Sequence, residues 1–167
     1  MEVEDVREMC RTWLTTHHTL KFRERIYEGI TPRILVEQLL SEKPGIGARD
    51  YKFFCFHGIP RFIEVDLDRY TSHRRNFYDL NWNRLPYNVG FPNADVDLEC
   101  PMKLDEMIRV SSILAQDIPF VRVDLYQPGD RIYFVELTFT PQAGLARVSR
   151  QHDIEMGKWW QINTGNG

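Results

Sequence analysis

Two neighbouring segments hold side chains whose types and spacing could do chemistry. In FVRVDLY, strand alternation puts Arg122, Asp124 and Tyr126 on one face and Val121, Val123 and Leu125 on the other. In RIYFVELTFT, Glu136 stands between Val135 and Leu137 in an apolar strand, where a carboxylate is costly unless paired or bound to a cation. Two readings follow. Either Asp124 and Glu136 converge on magnesium, which prefers hard oxygen ligands and commonly bridges protein acids to nucleotide phosphates, or the hairpin carries ion pairs, Arg122 to Glu136 or Asp124 to Arg131.

Strand parity separates the readings. The two acids share a face only if directly paired residues have numbers summing to an even value, or if a bulge restores the parity. Pairing Tyr126 with Ile132 through a five-residue loop satisfies this, as does pairing it with Asp130 through a three-residue loop. A four-residue loop pairing Tyr126 with Arg131 does not. The five-residue version is expected, with Arg122 opposite Glu136, Asp124 opposite Phe134, and both carboxylates on the ligand-facing side of the sheet.

Positioning these groups requires an antiparallel sheet. QPGD between FVRVDLY and RIYFVELTFT supplies the turn of a hairpin. YKFFCFHG and PRFIEVDLD, separated by Gly58 and Pro60, read as a second hairpin. RILVEQLL, after Pro32, reads as a buried strand, and SEKPGIGARD as the loop that follows. Leu104, Met107, Ile108, Ser111 and Leu114 step by three and four behind Asp105 and Glu106, predicting a helix whose first turn carries the acids its dipole favours. Val3, Val6, Met9, Trp13 and Leu14 predict an amphipathic helix to about Thr16, with His17 and His18 at its solvated end.

Residues 68–101 show charge and aromatics without period and read as a long ordered loop of the kind that binds ligands. In it, Arg74 and Arg75 stand among Tyr70, Phe77, Tyr78 and Trp82, and are expected to point into the same cleft as Asp124. The organisation is a single lobe over 1–167: a helical segment 1–30, sheet and helices 31–160, and a frayed tail 161–167.

Composition narrows the classes. The chain has 167 residues, 43% hydrophobic, enough for one domain with a buried core. A formal charge of -3 leaves no basic field for a nucleic-acid backbone. Cys10, Cys55 and Cys100 form no C-x-x-C pair, and the chain opens without a basic start and apolar signal core. A cytoplasmic protein without a membrane span is expected. Ser111 and Ser112 lie in no G-x-S-x-G turn, and Cys55, between two phenylalanines, reads as a buried apolar residue rather than a nucleophile.

DYKFFCFHGIPRFI, NFYDLNW, FVRVDLY and IYFVELTFTPQAG, in this order and spacing, resemble the TupA-like branch of the ATP-grasp superfamily, named for teichuronopeptide biosynthesis. The resemblance covers roughly residues 30–160 and implies an α+β fold, a mainly antiparallel sheet with packed helices, corresponding to the C-terminal lobe of an ATP-grasp domain. It implies ATP and Mg2+ as cofactors, with a carboxylate activated by ATP and then attacked by an amine or related nucleophile. Glu37, Gln38 and Leu40 would line the adenine edge, largely through backbone groups. Asp50 would meet the ribose and Lys52 the phosphates, with Tyr126 also at the nucleotide. Asp124 and Glu136 match the paired metal-binding acids and Arg122 a phosphate-binding arginine, with Arg74 and Arg75 as further phosphate or substrate contacts. Thr138 stands where relatives often carry a metal-binding asparagine. The family's lysine and glycine-rich phosphate loop has no match here, since Gly45 and Gly47 make a weak cradle. A half-complete nucleotide pocket is therefore expected, completed by a separate chain or second copy; the other expectation is a non-catalytic binding module.

Overall fold

The computed structural model describes residues 2–16, 23–43, 46–67 and 72–161, with the side chains of 42, 43, 46 and 47 left aside. His17, His18, Tyr70 and the tail beyond residue 161 lie outside the described residues. The chain divides into two compact units, 1–39 and 40–167.

The first unit holds helix α1 (Val3–Thr15), a single 3-10 turn at Arg25–Tyr27, and chain without regular secondary structure from residue 30 to 39. A capping box between Glu2 and Asp5 starts the helix, so the first orphan N–H groups find side-chain acceptors. The second unit is built on one six-stranded antiparallel sheet in the order β6-β5-β4-β3-β7-β8. Its strands are β3 (Asp50–Phe56), β4 (Ile59–Leu67), β5 (Arg74–Tyr78), β6 (Arg84–Leu85), β7 (Phe120–Tyr126) and β8 (Tyr133–Thr138). A separate short pair, β1 (Ser41–Lys43) and β2 (Ile46–Gly47), precedes it. With helices α2 (Leu104–Leu114) and α3 (Arg150–Gly157), the fold is α+β.

Alternation sorts the sheet into two faces. Tyr51, Phe53 and Cys55 of β3, Ile63 and Val65 of β4, and Val121, Val123 and Leu125 of β7 form one, packed with Leu104 and Met107 of α2. Burial pushes the Cys55 thiol up to about 12, against a weaker pull from Ser111, so this cysteine is inert packing. The opposite face is graded along the strands. At one end Phe54, Phe56, Phe62, Phe77 and Phe120 gather with Tyr87, closed by Met156 of α3 and by Trp159. At the other end the same face is charged.

Three local expectations are corrected. Residues 33–40 form no strand: Leu35, Val36 and Leu39 are 82%, 92% and 87% exposed, and no neighbouring strand among the described residues takes up the backbone groups that a strand must pair. Residues 68–101 are not one long loop, because β5 and β6 lie within them and extend the sheet beyond β4. Both faces of β5 are covered, so Arg75 and Asn76 are as buried as Phe77 and Tyr78, and the polar alternation that would reveal a strand is missing. The stretch read as a loop after residue 40 contains the β1–β2 pair.

The β7–β8 register also differs. Tyr126 pairs with Tyr133 through a six-residue loop, not with Ile132 through five. That odd sum would put the acids on opposite faces, but a bulge at Val135 restores the parity, and Asp124 lies directly opposite Glu136 while Arg122 lies opposite Thr138.

Candidate functional site

The charged end of the sheet collects Asp50 and Lys52 from β3, Glu64 and Asp66 from β4, Arg75 from β5, Arg122 and Asp124 from β7, and Glu136 and Thr138 from β8. Register places them in rows: Asp50 stands between Asp66 and Tyr126, with Arg75 beyond Asp66, and Lys52 stands between Glu64 and Asp124, with Glu136 beyond Asp124.

Three cations tie these rows together. The Lys52 ammonium donates to Asp50 and, at 3.1 Å, to Asp124 Oδ2, with Asp66 at 3.9 Å. Arg122 donates through Nε to Asp124 Oδ1 and through Nη2 to Oδ2, both at 2.7 Å, and Nη2 also reaches Glu136 Oε1 at 2.9 Å and Thr138 Oγ1 at 3.0 Å. Thr138 Oγ1 in turn donates to Glu136 Oε1 at 2.8 Å. Arg75 donates through Nε to Asp66 Oδ1 at 2.7 Å and stands 3.1 Å from Glu64 Oε1. His73 Nε2 lies 2.9 Å from Asp66 Oδ1.

Of the two ion pairs foreseen, Arg122–Glu136 forms. Asp124 takes Arg122 and Lys52 rather than Arg131, which is exposed. The ion pair and the shared carboxylate face therefore coexist, because one guanidinium sits between both acids.

Five carboxylates against three cations leave a surplus of two negative charges before any proton is counted. The buried groups register this. Burial raises Glu64 to about 7 against the pull of Arg75, and burial likewise raises Asp124 in spite of Arg122 and Lys52. Burial also acts on Asp66, but its hydrogen bonds and charge contact with Arg75 outweigh it and lower the carboxyl. Glu136, nearer solvent, is likewise lowered, with burial outweighed by Thr138 and Arg122.

The donor set fits a divalent cation. Two directly opposed carboxylates and a hydroxyl offer hard oxygens on a face where carboxyl groups outnumber cations. Among the described residues no three His, Cys, Asp or Glu side chains form a protein-only metal site. Magnesium is usually held by one or two carboxylates with phosphates and water completing the shell, and Asp124 with Glu136 is a pair of that kind.

The remaining sequence-derived residues are distributed unevenly. Tyr126 shares the charged face, in the row of Asp50. Arg74 alternates with Arg75 onto the other face, so only Arg75 meets the expectation of a shared cleft with Asp124. Leu40 opens the second unit, its carbonyl accepting the Ala48 N–H at 3.2 Å. Glu37 and Gln38 are exposed in the first unit. Sequence reasoning missed Glu64, Asp66 and His73. The signal for the two acids was present, since FIEVDLD alternates as RVDLY does and places both opposite the apolar face.

A sequence profile described as TupA-like ATPgrasp matches residues 1–161. The chain belongs to the TupA-like ATP-grasp family. No curated protein and no solved structure matches it. In this TupA-like chain, the segments carrying the resemblance supply β3, β4, β5, β7 and β8, the strands that carry the ionic network. Among the described residues no helix is long and apolar enough to cross a membrane.

Proposed function

We propose that this protein is a Mg-ATP-dependent ligase that joins a carboxylate to an amine or similar nucleophile in cell-surface polymer synthesis of the teichuronopeptide type, on the cytoplasmic side. One observation carries the reading: Asp124 and Glu136 stand directly opposed on a sheet face that also presents Lys52 and Arg122. The pathway rests on the family resemblance.

ATP and magnesium would supply a phosphoryl group to the substrate carboxylate with release of ADP, after which the amine displaces phosphate. The chain's own residues hold the groups in place. Asp124 and Glu136, with Thr138, would hold the cation. Arg122 fixes both carboxylates and would present an edge of its guanidinium to a phosphate. Lys52, only 4% exposed and anchored by acids, presents a fixed positive charge at the same surface. Asp50 and Tyr126, in the row beside it, would meet the ribose, and Leu40, at the start of the same unit, the adenine edge. The lysine and glycine-rich loop that cover the phosphates in other family members would come from a partner chain or a second copy.

Calorimetric titration of ATP with and without magnesium tests the reading. Binding is expected to tighten at least tenfold with magnesium, and Asp124→Asn or Glu136→Gln should remove that gain. A second reading, a non-catalytic binding module, is favoured by one feature: Lys52, Arg75 and Arg122 are all already engaged by carboxylates. ATP binding indifferent to magnesium and to both substitutions would decide for the module.

A further inference from the structure

Beside the ionic network lies a cleft of about 550 Å³, between the loop Asn88–Pro92 and the segment Gln142–Arg147. Small-molecule sites commonly measure roughly 300–1,000 Å³. We propose that this cleft holds the carboxylic acid that the ligase activates, a compact monoanion with an apolar body, and that Arg147 is its anion contact. The assignment of the ligand as a substrate rests on the ligase reading.

The first wall is fastened to the network. Arg75, paired to Asp66 and Glu64, also donates from Nη1 to the Val89 carbonyl at 3.2 Å, and its backbone N–H donates to the Pro92 carbonyl at 3.0 Å. Its guanidinium lies 5.0 Å from the centre of the Phe91 ring, on which His73 stacks at 3.7 Å. Gly90, at φ 75, completes this wall: a Cβ there would meet Gln142 Nε2 at 3.4 Å and Arg75 Nη1 at 3.5 Å.

The second wall is strained. Gln142 and Ala143 both adopt left-handed backbone, at φ 51 and φ 54, in a tight turn before Gly144. Non-glycine residues held this way are uncommon and gather where a ligand needs a fixed backbone. Thr138 of β8 is four residues upstream of Gln142, so the wall begins within about 14 Å of Thr138 along the chain.

The lining selects the ligand. It contains one charge, Arg147, with the amides of Asn88 and Gln142 and the apolar surfaces of Phe91 and Leu145. There is no carboxylate in it, so it repels cations and attracts a single negative charge. Arg147 makes no ion pair among the described residues, whereas the three cations of the network are engaged. A guanidinium with two amides suits a carboxylate, and the apolar walls suit an uncharged body behind it.

The test uses N-acetylleucine and its neutral methyl ester as probes, followed by ligand-observed NMR on the full chain. Saturable binding of the acid is expected, at least tenfold weaker for the ester and for Arg147→Gln, the variant keeping the wild-type melting temperature. Gly90→Ala, whose added Cβ enters the wall against Gln142 and the edge of the Arg75 guanidinium, should weaken the acid as well. No saturable binding of the acid, or binding unchanged in Arg147→Gln, overturns the proposal. Mg-ATP titration of the same wild-type protein keeps the two readings apart: if ATP ignores magnesium while the acid still binds through Arg147, the ligase reading fails and the carboxylate site stands.

Discussion

Glu64 stands opposite Lys52 on one side and Phe77 on the other, 3% exposed, with Arg75 as its closest cation. Its carboxyl, raised from 4.5 to about 7, keeps a proton in the folded chain over a range where the unfolded chain has lost it. Folding therefore takes up a proton there, and stability falls as pH rises from about 4.5 to 7, then levels off. Removing the charge while keeping the shape should reverse this. Glu64→Gln is expected to stabilise the protein at pH 8 by up to about 3 kcal/mol and to do little at pH 5, measured by denaturant titration at both pH values. Equal effects at the two pH values would mean that Glu64 is ionised throughout. Asp66 and Glu136 act in the opposite sense, since their lowered carboxyls add stability that is lost as pH falls below their unfolded range. Ala143 gives a further residue-scale test. Glycine tolerates left-handed backbone, so Ala143→Gly should stabilise by roughly 1 kcal/mol, because the strain relieved, about 1–2 kcal/mol, exceeds the added unfolded-state entropy. If the turn shapes a binding wall, the same substitution should weaken N-acetylleucine.

At the scale of elements, helix α2 serves the apolar face and leaves the charged one alone. Met107 is fully buried among Phe53, Val123 and Leu125, so Met107→Ala should cost about 2–5 kcal/mol in chemical denaturation. Magnesium-dependent ATP affinity, measured where the variant is still folded, should stay within twofold. A large affinity loss would show that the two faces are mechanically coupled. The helix and the β7–β8 hairpin were legible in the sequence because one side of each is apolar and the other mostly is not, and the β3–β4 hairpin because Gly58 and Pro60 separate two strand-like runs. Strand β5 was hidden because Arg75 and Asn76 are buried by ion pairs and loop contacts rather than by apolar neighbours. The shared face of Asp124 and Glu136 could be framed from parity but not decided. A bulge at Val135 has no reliable mark in VEL, and the loop is one residue longer than the five expected. Glu64 and Asp66 obey the same alternation as Asp124, so half of the network follows once β4 is treated like β7. The strand expected at 33–40 shows the opposite failure: its composition suits a sheet, but composition does not supply a neighbour to pair with.

For the whole molecule, the charged face determines what one copy can do. A carboxylate pair on a sheet can hold a cation and orient phosphates from one side, but excluding water from a moving phosphoryl group needs a second surface over them. On the proposed reading, the lysine and glycine-rich loop that form that surface come from a partner chain or a second copy. Magnesium-dependent ATP binding by one copy is therefore expected to be weak, and turnover absent at protein concentrations where the chain is monomeric. If a second copy completes the site, ADP release should rise with the square of protein concentration until the dimer saturates, and light scattering on the same samples should follow the same curve. If a different chain completes it, release should stay at background at every concentration, with N-acetylleucine present, until that chain is added. ADP release proportional to protein concentration, from a species confirmed as monomeric, would mean that the residues of this chain close over the phosphates by themselves. The phosphate cover would then have to be sought in the loops that flank the network, beginning with Asn88–Pro92, which Arg75 already links to it.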